Sequence, residues 1–185
     1  MRFAKERIQK ISAELRHLAV VKKEKITGWQ VKDGCYIDIA EADASEAEWR
    51  PFDSEKERWY GPDKHYWFRT EITIPEEMDG KPVWLVVHTA LQDWDDGRNP
   101  QFLVFVNGEV TQGLDINHRE IYLTAFAKAG DKYKIDMQSY TGTIHNEFRF
   151  VAERFYPFKD KLHFLSALTV ISQIYSHHRL IVLGF

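Results

Sequence analysis

The run "FLVFVNGEVTQGL" at 102–114 narrows the fold more than any other stretch. Apolar residues lead into Asn107-Gly108, and the chain then returns through Val110 towards Gly113. Asn-Gly is the strongest short-range hairpin signal, because a type I′ turn needs positive φ at both central residues. A lone hairpin is marginal in water and needs further strands to bury its apolar side chains. The stretch 67–74, "WFRTEITI", offers one. Phe68, Thr70, Ile72 and Ile74 fall on one face, and Trp67, Arg69, Glu71 and Thr73 on the other. Pro75 and then Asp79-Gly80 end it. The continuous apolar run 83–89, "VWLVVHT", reads as a buried strand. A short strand follows at 121–124, and Gly130-Asp131 turns the chain into 133–140. There Tyr133, Ile135, Met137 and Ser139 alternate with Lys132, Lys134, Asp136 and Gln138. A last strand is expected over 147–155. Many short strands with turn residues between them predict a mostly β fold, an antiparallel β-sandwich of the jelly-roll kind.

The flanks read differently. Over 3 to about 25, Ile8, Ile11, Leu15 and Leu18 share a helical face with Lys and Arg around the other sides. Such a helix is unstable alone and must dock. Residues 29–66 have scattered Trp, many acids and little period, which suggests short strands and long surface loops. The end, "RLIVLGF", resembles a strand without a partner, and an exposed edge of this kind invites pairing. A truncated chain, or a tail whose partner is missing, is therefore expected. The divisions are a helix over 1–27, a sandwich over 28–158 and a tail over 159–185.

Composition bounds the function. Aromatics make up 14% of the chain, with six Trp; most of these are expected in the core. The net charge of −3 shows no basic excess to suggest a nucleic-acid partner. Cys35 is the only cysteine, so neither an internal disulfide nor a cysteine-only zinc site can form. That usage points to a reducing, cytoplasmic setting. The charged N-terminus lacks the apolar core of a signal peptide. No apolar run is long enough to span a membrane, and no Asn-x-Ser/Thr acceptor occurs.

Two polar clusters compete as sites. The first is 115–120, where Asp115, Asn117, His118, Arg119 and Glu120 crowd together after Gly113. Asp and Asn satisfy backbone groups in turns, so the plain reading is a hydrogen-bonded crossover; the sharper one is a polar binding site. The second is the loop "QDWDDGRN" at 92–99. Trp94 beside Asp93, Asp95 and Asn99 has the chemistry of a sugar site, a ring to stack on and acceptors for hydroxyls. Asp93, Asp95 and Asp96 also suit a structural calcium, which takes oxygen ligands, but the EF-hand register fails at Gly97 and Val104. A solvated loop is the alternative to both. His118-Arg119-Glu120 and His145-Asn146-Glu147 place a carboxylate two residues after a histidine, a weak metal signal. No nucleophile elbow or phosphate loop occurs. No spacing singles out the carboxylate pair that glycoside hydrolysis needs.

The segments 66–75 "YWFRTEITIP", 80–89 "GKPVWLVVHT", 102–124 "FLVFVNGEVTQGLDINHREIYLT" and 127–142 "AKAGDKYKIDMQSYTG" occur in an order that resembles one family. They are similar to the N-terminal, non-catalytic domain of the α-mannosidases of glycoside hydrolase family 38, of the bacterial and fungal vacuolar type. The run from Asn107-Gly108 through Asn117-His118-Arg119-Glu120 to Ala129-Gly130-Asp131-Lys132-Tyr133 carries most of the likeness. More loosely, the pattern resembles galactose-binding-like jelly rolls of other glycosidases. The likeness spans 1 to about 168, and "TVISQIYSHHRLIVLGF" departs from it. It implies an accessory domain that packs on a zinc-dependent catalytic domain of the same polypeptide or oligomer. The family's zinc-binding His-x-Asp is absent from this sequence. No catalytic or zinc residue is therefore carried over, and no cofactor is expected in this chain. Mannose-containing glycan is the implied ligand, through Trp94, Asp93, Asp95, Asn99, Asp115, Asn117, His118 and Arg119. No membrane partner is expected.

Two rivals stand beside this reading. A free-standing carbohydrate-binding module predicts an exposed Trp94, or Trp59 with Tyr60, on a loop rim. A small jelly-roll enzyme predicts two facing carboxylates, or a histidine–carboxylate metal site, in a cleft.

Overall fold

The computed structural model describes Glu6, Lys10 and residues 20–89, 100–142 and 147–157. By its contacts the chain forms two units, one of Lys23–Phe155 and one of Met1–Lys22 with Tyr156–Phe185. The first contains nearly all the described residues.

The strands are β1 (Val20–Lys25), β2 (Trp29–Asp33), β3 (Arg50–Phe52), β4 (Trp59–Tyr60), β5 (His65–Thr73) and β6 (Val83–His88). After them come β7 (Gln101–Val106), β8 (Glu109–Leu114), β9 (Glu120–Thr124), β10 (Lys132–Tyr140), β11 (Glu147–Phe148) and β12 (Val151–Pro157). One sheet runs β3-β2-β5-β10-β7-β8, a second β1-β12-β6-β9, and β11 pairs with β4 in a small third. The pairings across β2, β5, β10, β7 and β8, and across β12, β6 and β9, are antiparallel. From β5 onward the chain passes from sheet to sheet, except at the β7–β8 hairpin, as a jelly roll requires. The fold is a mostly β, antiparallel β-sandwich.

The alternation read in the sequence sets the core. Val31, Phe68, Met137 and Val104 lie opposite one another across β2, β5, β10 and β7, and each is 0% exposed. Leu85, Val87, Ile121 and Ala152 face them from the four-stranded sheet and belong to the same core cluster. The interior is unusually aromatic. Phe150 sits within 6 Å of the rings of Trp29, Phe52, Trp59, Phe68 and Phe102. It lies between β11 and β12, where the sequence suggested one unbroken strand. The break lets Phe150 turn inward.

The Asn-Gly turn forms as its chemistry requires, with φ of 54° at Asn107 and 86° at Gly108. Asn107 adds a second tie, its Oδ1 accepting from the Lys134 amide at 2.9 Å. The register shifts between Val104 and Phe105, a bulge that bends the edge strand β8 and blunts it against pairing with other chains.

Two sequence expectations change. The N-terminal helix, read as reaching about residue 25 and bounded at 27, does not extend that far. Glu6 and Lys10 are helical, but Val20–Lys25 is β1, at the edge of the four-stranded sheet. Val20-Val21 is β-branched and favours the pleated state, and sheet pairing outweighs the helical period there. The rest of that helix, and the tail, lie outside the described residues. The region 29–66 holds a helix the sequence reading missed, α1 (Ile39–Ala44). Asp38 caps it by accepting from the Glu41 amide at 2.9 Å, and Glu41 reaches back to the Ile37 amide at 2.6 Å. This is a variant of the capping box, with the return bond made to the residue before the N-cap rather than to the N-cap itself.

The segment with α1 covers the outer face of the six-stranded sheet. Ala42, Trp67 and Phe105 form a small second core, with Tyr36, Ile39 and Trp49 packed on it. Charge holds it as much as apolar contact. The buried Lys32 donates to the carbonyl of Ala42 and lies between the rings of Tyr36 and Trp49. Arg69 stands directly opposite Asp136 in the ladder and bonds to it at 2.6 Å and to Asp43 at 2.7 Å. Trp49 lies 4.1 Å from the same guanidinium. Burial pushes the Asp136 carboxyl above its usual range, and Arg69 pulls it back only in part.

Candidate functional site

The cluster at 115–120 is the crossover from β8 to β9, hence from one sheet to the other. Leu114 and Ile116 are buried and pin it to the core. Between them, Asp115 Oδ1 accepts from the amides of Asn117 at 2.8 Å and His118 at 2.7 Å. The His118 ring reaches the same oxygen at 3.1 Å. Partial burial works against the charge on Asp115, but the two amides and the His118 ring together outweigh it and hold the carboxyl below its ordinary range. Arg119 donates to the carbonyl of Ile116, and its own carbonyl accepts from the Val87 amide at 2.9 Å. The structure thus brings Asp115, Asn117, His118 and Arg119 into one corner, where Asp115 serves the backbone. Trp94, Asp93, Asp95 and Asn99, and His145 with them, lie outside the described residues.

Replacing Asp115 by alanine strips two amides of their acceptor. A loss of about 1–2 kcal/mol in urea unfolding is expected. An unchanged midpoint would mean that the corner does not depend on this carboxylate.

Two of the concave regions among the described residues lie elsewhere. A cleft of about 480 Å³ runs past Lys25, Thr27, Gly28, Trp29, Phe52, Asp53, Ser54, Glu55 and Glu57. Its charges are already paired, Lys25 with Glu55 at 2.5 Å and Arg50 with Glu57 at 2.9 Å. Its aromatic residues, Trp29 and Phe52, are at most 4% exposed, which leaves little ring face for a ligand.

The second is a pocket of about 370 Å³ lined by Asp33, Gly34, Cys35, Asp63, Lys64, His65 and Tyr66. It lies where β2 ends and β5 begins. Gly34 has φ +146°, a backbone conformation that strains any residue with a Cβ, and a Cβ there would also displace the Tyr36 ring. The loop before β5 is tied down. Thr141 Oγ1 donates to the carbonyl of Gly61 at 2.6 Å and accepts from the Lys64 amide at 3.0 Å. Tyr140 donates to Asp63 at 2.8 Å and its ring lies 4.8 Å from that of His65. The fold brings Cys35 and His65, thirty residues apart in the chain, to the same pocket. The only sequence signal was the glycine at each loop, Gly34 and Gly61.

Among the described residues, neither the Trp59–Tyr60 rim nor the facing carboxylates that the two rivals predict are formed, and the Trp94 alternative lies outside those residues. Trp59 is 2% exposed and belongs to the core, whereas Tyr60 beside it is 64% exposed; the Trp59–Tyr60 rim of a lectin-like module is therefore half missing. Asp43 and Asp136 do converge, but on Arg69, and Asp136 is fully buried. A carboxylate in that position cannot meet a glycosidic bond. Among the described residues, no group of three or more His, Cys, Asp or Glu is placed to hold a metal ion. Among the same residues no helix is long and apolar enough to cross a membrane.

No family profile matches the chain, and no curated protein does either. Solved structures do match. A Bacteroides uniformis β-glucuronidase 2, covalently bound to cyclophellitol-6-carboxylate aziridine, aligns at TM-score 0.50 and 12% identity, over 72% of this chain and 18% of that one. A Ruminococcus gnavus β-glucuronidase in complex with D-glucuronic acid aligns at TM-score 0.46 and 11% identity, over 74% of this chain and 30% of that one. The chain therefore spans less than a third of the length of these enzymes. At such identity the likeness to the Bacteroides enzyme is one of fold: this chain shares the β-sandwich of a part of it.

Proposed function

We propose that this chain is an accessory β-sandwich domain of a glycosidase, of the kind found at the N-terminus of family 38 α-mannosidases. It is non-catalytic by itself and packs against a zinc-dependent catalytic domain. One observation carries the reading. The run that resembles the α-mannosidase domain, Asn107 to Tyr133, folds as one continuous block: the hairpin turn, β8, the Asp115 corner, β9, and the turn into β10. Its distinctive residues have architectural duties there, Asn107 to Lys134 and Asp115 to the corner amides. Such a run marks a scaffold, and a scaffold inside a glycosidase serves the enzyme by position. The place of a similar sandwich within the longer β-glucuronidases accords with this role. The exposed, unbridged Cys35 suits a cytoplasmic setting.

The test is assembly. A separately produced family 38 catalytic domain, stripped of its own N-terminal domain, is mixed with this chain and run on a sizing column with light scattering. A complex of defined stoichiometry is expected, with the zinc retained in the catalytic partner. Independent elution at micromolar concentrations of both would remove the accessory role.

A further inference from the structure

We infer that the pocket between the end of β2 and the start of β5 is a binding site for a neutral saccharide ring. Its lining carries groups of mixed character. Asp33 and Asp63 offer carboxylate oxygens, Lys64 an ammonium and His65 an imidazole. Among the described residues, the side chains of Asp33 and Lys64 have no hydrogen-bond or ion-pair partner. Asp63 is engaged through one oxygen only, by Tyr140. A single ion is best held by groups of one sign. Acceptors and donors set side by side instead match hydroxyl groups, each of which gives and takes a hydrogen bond.

The setting supplies the apolar half of the contact. Tyr140 is 44% exposed and is joined to the pocket wall by its bond to Asp63 and its ring contact with His65. An exposed ring beside hydrogen-bonding groups presents one apolar and one wet surface, the combination a pyranose shows on its C–H face and its rim. The size, about 370 Å³, lies at the small end of ligand pockets and suits one or two sugar rings. The ties from Thr141 to Gly61 and Lys64 hold the loop in place before binding, which lowers the ordering cost. Charge narrows the class. Two carboxylates against one ammonium leave the lining net negative, so a uronate meets repulsion that a neutral hexose does not.

The choice of a saccharide over another polyol rests on the glycosidase reading; the position of the site does not. The test is titration of the isotope-labelled full chain by NMR with methyl α-mannoside, glucose and glucuronate. Saturable amide shifts at Asp33–Cys35 and Asp63–Tyr66 are expected with a neutral hexose, at a millimolar dissociation constant, and weaker ones with glucuronate. The exposed Asp33→Ala variant should bind about tenfold more weakly with an unchanged melting temperature. Asp115→Ala should bind as the parent does. Shifts confined to other residues, no shifts with any of the sugars, or full affinity in Asp33→Ala would overturn the proposal. Those results would leave assembly with a catalytic domain untouched, so the two readings fail separately.

Discussion

Arg69→Met is expected to cost about 3–5 kcal/mol of unfolding free energy, measured by urea denaturation. The reason is the carboxylate left behind. Asp136 has no exposed surface and sits opposite Arg69 in the ladder. Its Oδ2 has no hydrogen-bond partner, and Lys134 approaches that oxygen only to 4.0 Å. Without the guanidinium, burial and Asp43 act on Asp136 with only the distant Lys134 to oppose them, and its carboxyl must take up a proton or bring water in. A raised carboxyl in the folded state contributes stability below its unfolded value and loses it as pH rises through the folded one. The Arg69→Met chain should therefore gain on its parent as pH falls from neutral through the raised titration of Asp136. The double variant Arg69→Met/Asp136→Leu should recover most of the loss at neutral pH, because a buried ion pair exchanged for apolar groups is often neutral in stability. If the single variant loses under about 1 kcal/mol, the pair is solvated and the covering segment with α1 does not seal it.

Phe150→Ala is the second large effect, about 3–5 kcal/mol by the same assay. Phe150 is 0% exposed and joins Trp29, Phe52, Trp59, Phe68 and Phe102 into one set of ring contacts. Aromatic pairs add to the burial of their area, and rigid neighbours cannot collapse into the space of a lost ring. Phe150→Leu should cost less than half as much, since most of the volume remains. Equal losses in the two variants would show that ring geometry rather than volume holds this core.

Both effects arise where the sequence was hardest to read. The strands were legible wherever a period could be counted. Phe68, Thr70 and Ile72 do share the buried face of β5, and Asn107-Gly108 does turn the hairpin. The opposite face of β5 was read only as the other side of an alternation. Its residues Trp67 and Arg69 are in fact covered, because a segment of interspersed acids and alanines folds across them. Period cannot show that cover. Its contacts join Lys32, Asp43, Arg69 and Asp136, charged residues that would ordinarily be assigned to solvent. The helical reading failed at Val20–Lys25 for a related reason: the local pattern gave way to an edge position in a sheet. Of the proposed site residues, Asp115, Asn117, His118 and Arg119 were recognisable as a cluster because they are contiguous. The β2–β5 pocket was not, because Asp33 and Asp63 come from loops some thirty residues apart in the chain. Only the fold brings them together.

The accessory role turns on the absence of turnover. The direct measurement is hydrolysis of aryl α-mannosides and aryl β-glucuronides by the purified, folded chain, with zinc supplied. The account predicts release of the aryl group at the uncatalysed rate, with and without the metal. Saturable turnover that persists in Asp33→Ala and Asp115→Ala and scales with the amount of chain would contradict it, and would make this sandwich an enzyme in its own right.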